Sequence, residues 1–275
     1  MAVDYAAKYA QKIDERFSLN SLTNSAVNQD YDFVGVKTVN VYSVGTAEMG
    51  DYSRSGANRY GTPTELDQTV QELTLSKDRS FTFTIDKGNF NDAQMVAQAG
   101  EALNRQLLEV VIPEIDIYRL GKIAEGAGAV SSPVAITKTN AYSAFLDAQE
   151  ALTDNKVPQG GRVCFCSAAF FKFIKQDDSF IKASDIAQNA LINGQVGSVD
   201  GVPLIIVPSS YMPEKTDFII TVPQACTAPM KLAEYKIHED PPGINGWLVE
   251  GRVYYDAFVL NNKKPAIYRH INAAI

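Results

Sequence analysis

The sequence predicts an α+β fold of two compact parts with long extensions, and three observations point there. Val36 to Val44 is rich in β-branched and aromatic residues, and Phe81 to Ile85 alternates apolar with hydroxyl side chains, so both read as strands. Met95, Val96, Ala99, Leu103, Leu107, Val110 and Val111 recur every three or four residues, which is the spacing of one helical stripe. Beyond Ser132, short helical and strand-like runs alternate as in a compact α+β or α/β part.

Taken in chain order, residues 1–30 are polar, with helical spacing only around Tyr9, Ile13 and Phe17, and then loop chemistry from Asn20 to Ser25. Such a segment has no face to bury, so it is either an arm that orders on a partner or a frayed terminus. A long β-ribbon follows. Val36–Val44 runs out, and Leu73–Leu75 with Phe81–Ile85 returns. The tip, Gly45 to Leu66, carries Gly50, Gly56, Gly61 and Pro63 among Asp51, Arg54, Asn58 and Arg59, and is too polar and glycine-broken to form a core. A two-stranded ribbon is barely stable alone in water, so this one needs another surface to lie on.

The helical stripe starts where Asn91 or Asp92 can cap a helix through a side-chain oxygen. It continues through Ile115, Tyr118 and Ile123 as far as Ala124, roughly 50 Å of spine at 1.5 Å per residue. Pro113 lacks a backbone donor and is expected to kink or restart the helix. Gly126, Gly128 and Ser131-Ser132-Pro133 then break the pattern and mark the passage into a second domain.

That domain opens with a helix over Thr139–Thr153, whose expected buried face is Tyr142, Phe145, Leu146, Gln149 and Leu152. A turn at Pro158–Gly161 feeds the strand Arg162–Cys166, and Ala168–Ile174 reads as a short buried helix ended by Gln176–Ser179. An Asp200-Gly201 turn joins two strands of the Gly194–Pro208 run, and Asp217–Val222 is another strand. Gly246–Leu260 and Ala266–Ile271 are strands again, joined by a turn at Asn261–Lys264. These last strands need a helical cover, and the spine is the natural one, so the first domain is expected to be discontinuous in sequence.

A net charge of −7 argues against tight, sequence-independent binding of duplex nucleic acid, because phosphate neutralisation supplies that affinity. Lys263, Lys264 and Arg269 are the nearest approach to a basic patch and read as a solvated strand end. Three cysteines give no disulfide framework. Cys164 and Cys166, two apart on a strand, have only Cys226, His238 and His270 as further metal ligands, at no ligand spacing, so they read as buried apolar thiols. No secretory signal is evident, and no stretch reaches the roughly 20 apolar residues of a membrane span. Neither histidine lies in a catalytic pattern, and no nucleophile elbow, zinc helix or phosphate loop is present. The pairs Asp177-Asp178 and Glu239-Asp240 read as solvated turns rather than cation sites. No catalytic, cofactor-binding or metal residue is therefore assigned, and no enzyme is expected.

The order of parts, with three stretches, resembles the major capsid proteins of tailed bacteriophages. The stretches are Tyr31–Val39 through Asn58–Pro63, Phe81–Gly88 leading into the helix, and Val196–Leu204. The likeness covers nearly the whole chain and is similar to a group from phages of low-GC Gram-positive bacteria. It implies an N-terminal arm at 1–33, an extended E-loop hairpin at 34–90, a peripheral (P) domain with the spine helix at 91–130 and 240–275, and an axial (A) α/β domain at 131–239. It further implies self-assembly as pentamers and hexamers into an icosahedral shell around double-stranded DNA, with E-loop and arm reaching neighbouring subunits. Scaffold and portal proteins are implied partners, packaged DNA is held only by loose, non-specific contact, and no cofactor or membrane is involved. Assembly is expected in the bacterial cytoplasm, with the virion capsid as destination. The Lys–Asn crosslink positions of some members find no match here. The chain begins at its arm, so a separate scaffold protein, or earlier removal of a scaffolding segment, is expected. An encapsulin-like nanocompartment is the alternative with the same fold, and a soluble α/β enzyme the alternative from another class.

Overall fold

The computed structural model describes residues 21–31, 33, 37–63, 65–87, 99–178 and 197–273. Two strands, β1 (Thr38–Val44) and β2 (Gln68–Thr74), form an antiparallel ribbon on their own. β3 (Lys77–Asp86), expected as the ribbon's return, instead joins a three-stranded sheet. The reason is its side chains: Phe81 and Phe83 give β3 a partly buried apolar face that packs on the spine's core.

The spine helix comprises α1 (Ala99–Gln106), a π-helical turn (Leu107–Val111) and α2 (Ile112–Glu125), roughly 40 Å in all. Its expected start at Asn91 or Asp92, with Met95 and Val96, lies outside the described residues. Pro113 stands in the first turn of α2, where the α-helix resumes directly after the π turn. The wide turn puts the Ile112 N–H on the Leu107 carbonyl, so a residue without an N–H follows at little cost. This extra residue rotates the stripe. Val110, expected to face inward, is 46% exposed, and Ile112 is buried in its place.

The remaining elements in order are β4 (Ala129–Val130), α3 (Ala141–Asp154), β5 (Val163–Ser167), α4 (Ala168–Gln176), β6 (Ser198–Val199), β7 (Val202–Val207), β8 (Thr216–Thr221), β9 (Cys226–Thr227), β10 (Met230–Glu239), β11 (Gly246–Tyr255), β12 (Phe258–Val259) and β13 (Tyr268–Ile271). β10-β11-β3 is antiparallel throughout, and Leu103, Leu107 and Ile115 of the spine cover it through Tyr235, Val249, Val253 and Tyr255. A six-stranded mixed sheet, β4-β13-β8-β5-β7-β6, carries the larger core. Phe145, Phe165, Phe170 and Phe218 fill it, and Leu120, Ile123 and Ala124 join from the spine, which so belongs to both cores.

β4 lies within 91–130 but belongs to the larger sheet, and two further strands also cross the expected partition. β10 lies within 131–239 but pairs with β11, because Ala233, Tyr235 and Ile237 alternate with Glu234, Lys236 and His238 and give it an inward apolar row. β13 lies within 240–275 but pairs with β8 and β4, burying Tyr268 and His270 in the larger core. On α3 the buried stripe is Ala141, Phe145, Ala148 and Leu152, while Leu146 faces out. Asp177, expected in a solvated turn, is buried, and its Oδ2 accepts the Tyr142 N–H at 3.0 Å, capping the start of α3. Ser167 caps α4 in the same way, accepting the Phe170 N–H at 3.2 Å. The Asp200-Gly201 turn forms as expected, both residues having positive φ, 48° and 78°.

Gly246 starts β11 at φ 151°, and a Cβ there would sit 2.0 Å from the Ile85 carbonyl oxygen of β3. We expect Gly246→Ala to lower stability by about 3 kcal/mol, read as a lower urea midpoint with unchanged slope. An unaltered midpoint would show that β3 and β11 do not approach this closely.

Candidate functional site

The ribbon is two-faced by simple alternation. On one face Val39, Val41 and Leu73 pack with Phe33, Leu75 and Leu260, so the root of the ribbon lies on its own body. On the other face Tyr42 stands directly opposite Val70 and Val44 opposite Gln68, and Tyr42 and Val70 are 62% and 55% exposed. Side by side they form a small contiguous apolar patch, and contiguity rather than exposure of a single side chain is what marks an interaction surface. Beyond them the tip holds Tyr60, 91% exposed, beside Tyr52 with ring centroids 5.1 Å apart, and Met49 fully exposed. Local backbone bonds, Ser53 N–H to Arg59 O and Gly61 N–H to Asn58 O, fold the tip without any core.

Three polar contacts fix the angle at which the ribbon leaves. The Gln71 amide donates to Val259 O at 2.9 Å and accepts the Asn261 N–H at 2.8 Å. The Tyr254 hydroxyl donates to Leu75 O at 3.1 Å. Buried Asp256 is the knot. Its Oδ2 accepts both the N–H and the hydroxyl of Ser76 at 2.8 Å, at the corner between β2 and β3, while Oδ1 accepts the Tyr118 hydroxyl at 2.7 Å from the spine. Burial first, and then this carboxylate, push the Tyr118 phenol above its ordinary pKa, so it remains a donor at any working pH. One charged group therefore ties ribbon, spine and the end of β11, and a fully bonded buried carboxylate is costly to disturb.

The other polar clusters bond within the body. His270 Nδ1 is 3.1 Å from Asp217 Oδ2, Asp217 Oδ1 accepts the Asn272 amide at 2.9 Å, and the imidazole stacks on Phe218. This has two members of a proton relay but no hydroxyl hydrogen-bonded to the other ring nitrogen among the described residues. His238 is half-exposed on β10 beside Glu250. Arg162 is buried, and its guanidinium donates to Pro158 O, Thr153 Oγ1, Val157 O and Gln149, closing the C-terminal end of α3. The three cysteines are buried and unpaired; burial pushes Cys166 and Cys226 up to about 12 and Cys164 well above its usual value. Glu239 and Asp240 lie at the β10–β11 turn, and the Lys87 ammonium beside Asp240 holds its carboxyl below the usual range. Lys263 and Lys264 lie in an exposed 3₁₀ turn, Asn261–Ala266. Among the described residues no group of three or more His, Cys, Asp or Glu could hold a metal ion. No described helix is long and apolar enough to cross a membrane.

The ribbon and its polar tip were legible in the sequence; Gln71, Tyr118 and Asp256 were not, since their partners lie 138 to 188 residues away. Part of the expected arm also differs. Ser21 and Thr23 are buried against the chain's own spine because their hydroxyls bond Asp116, and Ala26 is buried in the larger core.

Comparison with known proteins gives one family, described as phage capsid protein, matching residues 69–269. No curated protein matches the chain. Among solved structures, that of Mycobacterium phage Che8 is similar at 18% identity over 90% of each chain, with a TM-score of 0.73. The capsid of cyanophage P-SCSP1u is similar at 15% identity over 90% of this chain and 85% of that one, TM-score 0.71. A virus-like particle from Pyrococcus furiosus is similar at 13% identity over 98% and 100%, TM-score 0.57. At these identities the likeness is one of fold.

Proposed function

The chain belongs to the phage capsid protein family, and on that premise we propose that it is the major coat subunit of a tailed bacteriophage, closing as pentamers and hexamers into an icosahedral shell around double-stranded DNA. The observation that carries this reading is the ribbon's open face. Tyr42, Val44 and Val70 project on a rigid root with no covering element among the described residues. A heterologous contact, one surface on a different surface of the next copy, repeats until the rotation closes a ring, so one chain suffices to tile a shell. Shallow contacts are enough, because each subunit makes many of them.

The reading includes a division of labour. A peripheral unit of the spine with β3, β10 and β11 supports the ribbon, and an axial unit around the six-stranded sheet meets its copies at the symmetry axes. Scaffold and portal proteins are its partners, and the acidic chain keeps packaged DNA in loose contact only. Assembly takes place in the bacterial cytoplasm, and the role is structural rather than catalytic. Cryo-electron microscopy of the purified chain is expected to show closed shells of defined diameter; a monomer persisting at high concentration would overturn the reading. A second reading, a compartment shell without a genome, is supported by the end-to-end likeness to the Pyrococcus furiosus virus-like particle. Particles recovered from their natural source filled with protein and free of DNA would favour it.

A further inference from the structure

The buried polar cluster at the middle of the spine has a design that packing alone does not require. Asp116 and Arg119 are one turn apart on α2 and each is 1% exposed. Asp116 Oδ1 accepts the Ser21 hydroxyl at 2.7 Å and the Thr23 hydroxyl at 2.6 Å, and its Oδ2 accepts the Leu22 N–H at 2.9 Å. Arg119 Nη1 approaches the same two hydroxyl oxygens, at 3.3 Å for Thr23 and 3.5 Å for Ser21. Each hydroxyl gives its one proton to the carboxylate and offers a lone pair to the guanidinium, so its dipole lies between opposite charges. The spacing matters as well. Two hydroxyls separated by one residue reach the same pair of charges, while Leu22 turns aside to pack on the larger core.

We propose that Asp116 and Arg119 form a socket for a Ser-x-Thr plug, Ser21 to Thr23, and that this plug fixes the point on the body from which residues 1–20 start. The socket survives withdrawal of the plug. Side chains three apart on a helix are neighbours, so the carboxylate and guanidinium can turn to each other and neither is left a lone buried charge. Withdrawal is also local, because a second anchor holds the chain downstream. Asn28 N–H donates to Cys226 O, its side-chain amide donates to Pro223 O, and its carbonyl accepts the Ala228 N–H, each at 2.9 Å. Two separate states of one short segment, plug in and plug out, follow from these contacts. In a shell, where the shell reading holds, the seated plug makes every copy present its arm from the same place, so that equivalent contacts repeat.

The test uses the full chain with Ser21→Ala and Thr23→Val together, which keep side-chain volume and remove both hydroxyls. Hydrogen exchange at the Leu22 amide is expected to quicken roughly 100-fold, with exchange across Leu103–Leu120 unchanged. The exchanged pair Ser21→Thr with Thr23→Ser keeps both hydroxyls and is expected to restore protection. In assembly, the first variant is expected to give particles of several sizes and the second a single size. The socket is overturned if Leu22 stays protected in the first variant, if the whole spine quickens with it, or if the second variant fails to restore protection. If the two variants show this exchange pattern while the wild-type protein never forms shells, the socket stands and the shell reading falls.

Discussion

Leu107→Asp is expected to unfold the peripheral half of the subunit. Leu107 is 4% exposed, in the π turn of the spine, and lies in the core with Leu103, Ile115, Tyr235, Val249 and Val253. The change removes a buried apolar side chain and puts a carboxylate in its place, with no cation among those neighbours to receive it. Loss of the leucine costs about 2–5 kcal/mol and the unpaired polar group adds several more. Against a total stability of about 5–15 kcal/mol, that is enough to leave the three-stranded sheet without its cover. Thermal melting by circular dichroism checks it. Leu108→Asp, one residue on and 38% exposed, is the control and is expected to cost under about 1 kcal/mol. If the two variants melted alike, the register assigned to the π turn would be wrong.

Replacing Gly45–Leu66 with Asn-Gly is expected to leave a folded subunit that no longer closes into shells. Val44 already pairs with Gln68, and the Gly45 N–H donates to Asp67 O, so the strand ends are close enough for a short hairpin loop. The deleted residues contribute nothing to the three buried clusters, so the melting temperature is expected to stay within a few degrees. Assembly is another matter. The tip carries Met49, Tyr52, Tyr60 and Leu66, the exposed large side chains most able to find a partner surface. Sedimentation and electron microscopy would show free subunits or small oligomers where the parent chain gives closed particles. Normal particles from the shortened chain would remove the tip from the assembly mechanism and leave only the face around Tyr42 and Val70.

Local patterns were readable wherever one residue's neighbours in sequence are also its neighbours in space. The spine's apolar spacing, the Asp-Gly turn at 200–201, the strand Val163–Ser167 and the short helix after it all follow from period, capping and turn chemistry. Long-range pairing was not readable. The choice of β11 rather than the ribbon as partner for β3, and the placing of β10 and β13 in opposite sheets, depend on which apolar rows fit face to face once the chain has collapsed. Val110 and Ile112 exchange roles for a similar reason. A single wide turn, adopted where Pro113 follows, moves the stripe by one residue, and no periodicity count made on an ideal helix anticipates it.

The same division runs through the candidate site. The sequence by itself determined that a strand-rich, glycine-broken extension exists and that its tip has no core of its own, because composition and alternation are properties of the local chain. Only the tertiary structure decided which face of that extension is held and which is left open. It also decided that buried Asp256 ties the ribbon's root and buried Asp116 receives Ser21 and Thr23. A carboxylate reads as a surface residue until its donors are known. Those donors come from segments 93 to 180 residues away, brought together only when both hydrophobic cores close around the spine.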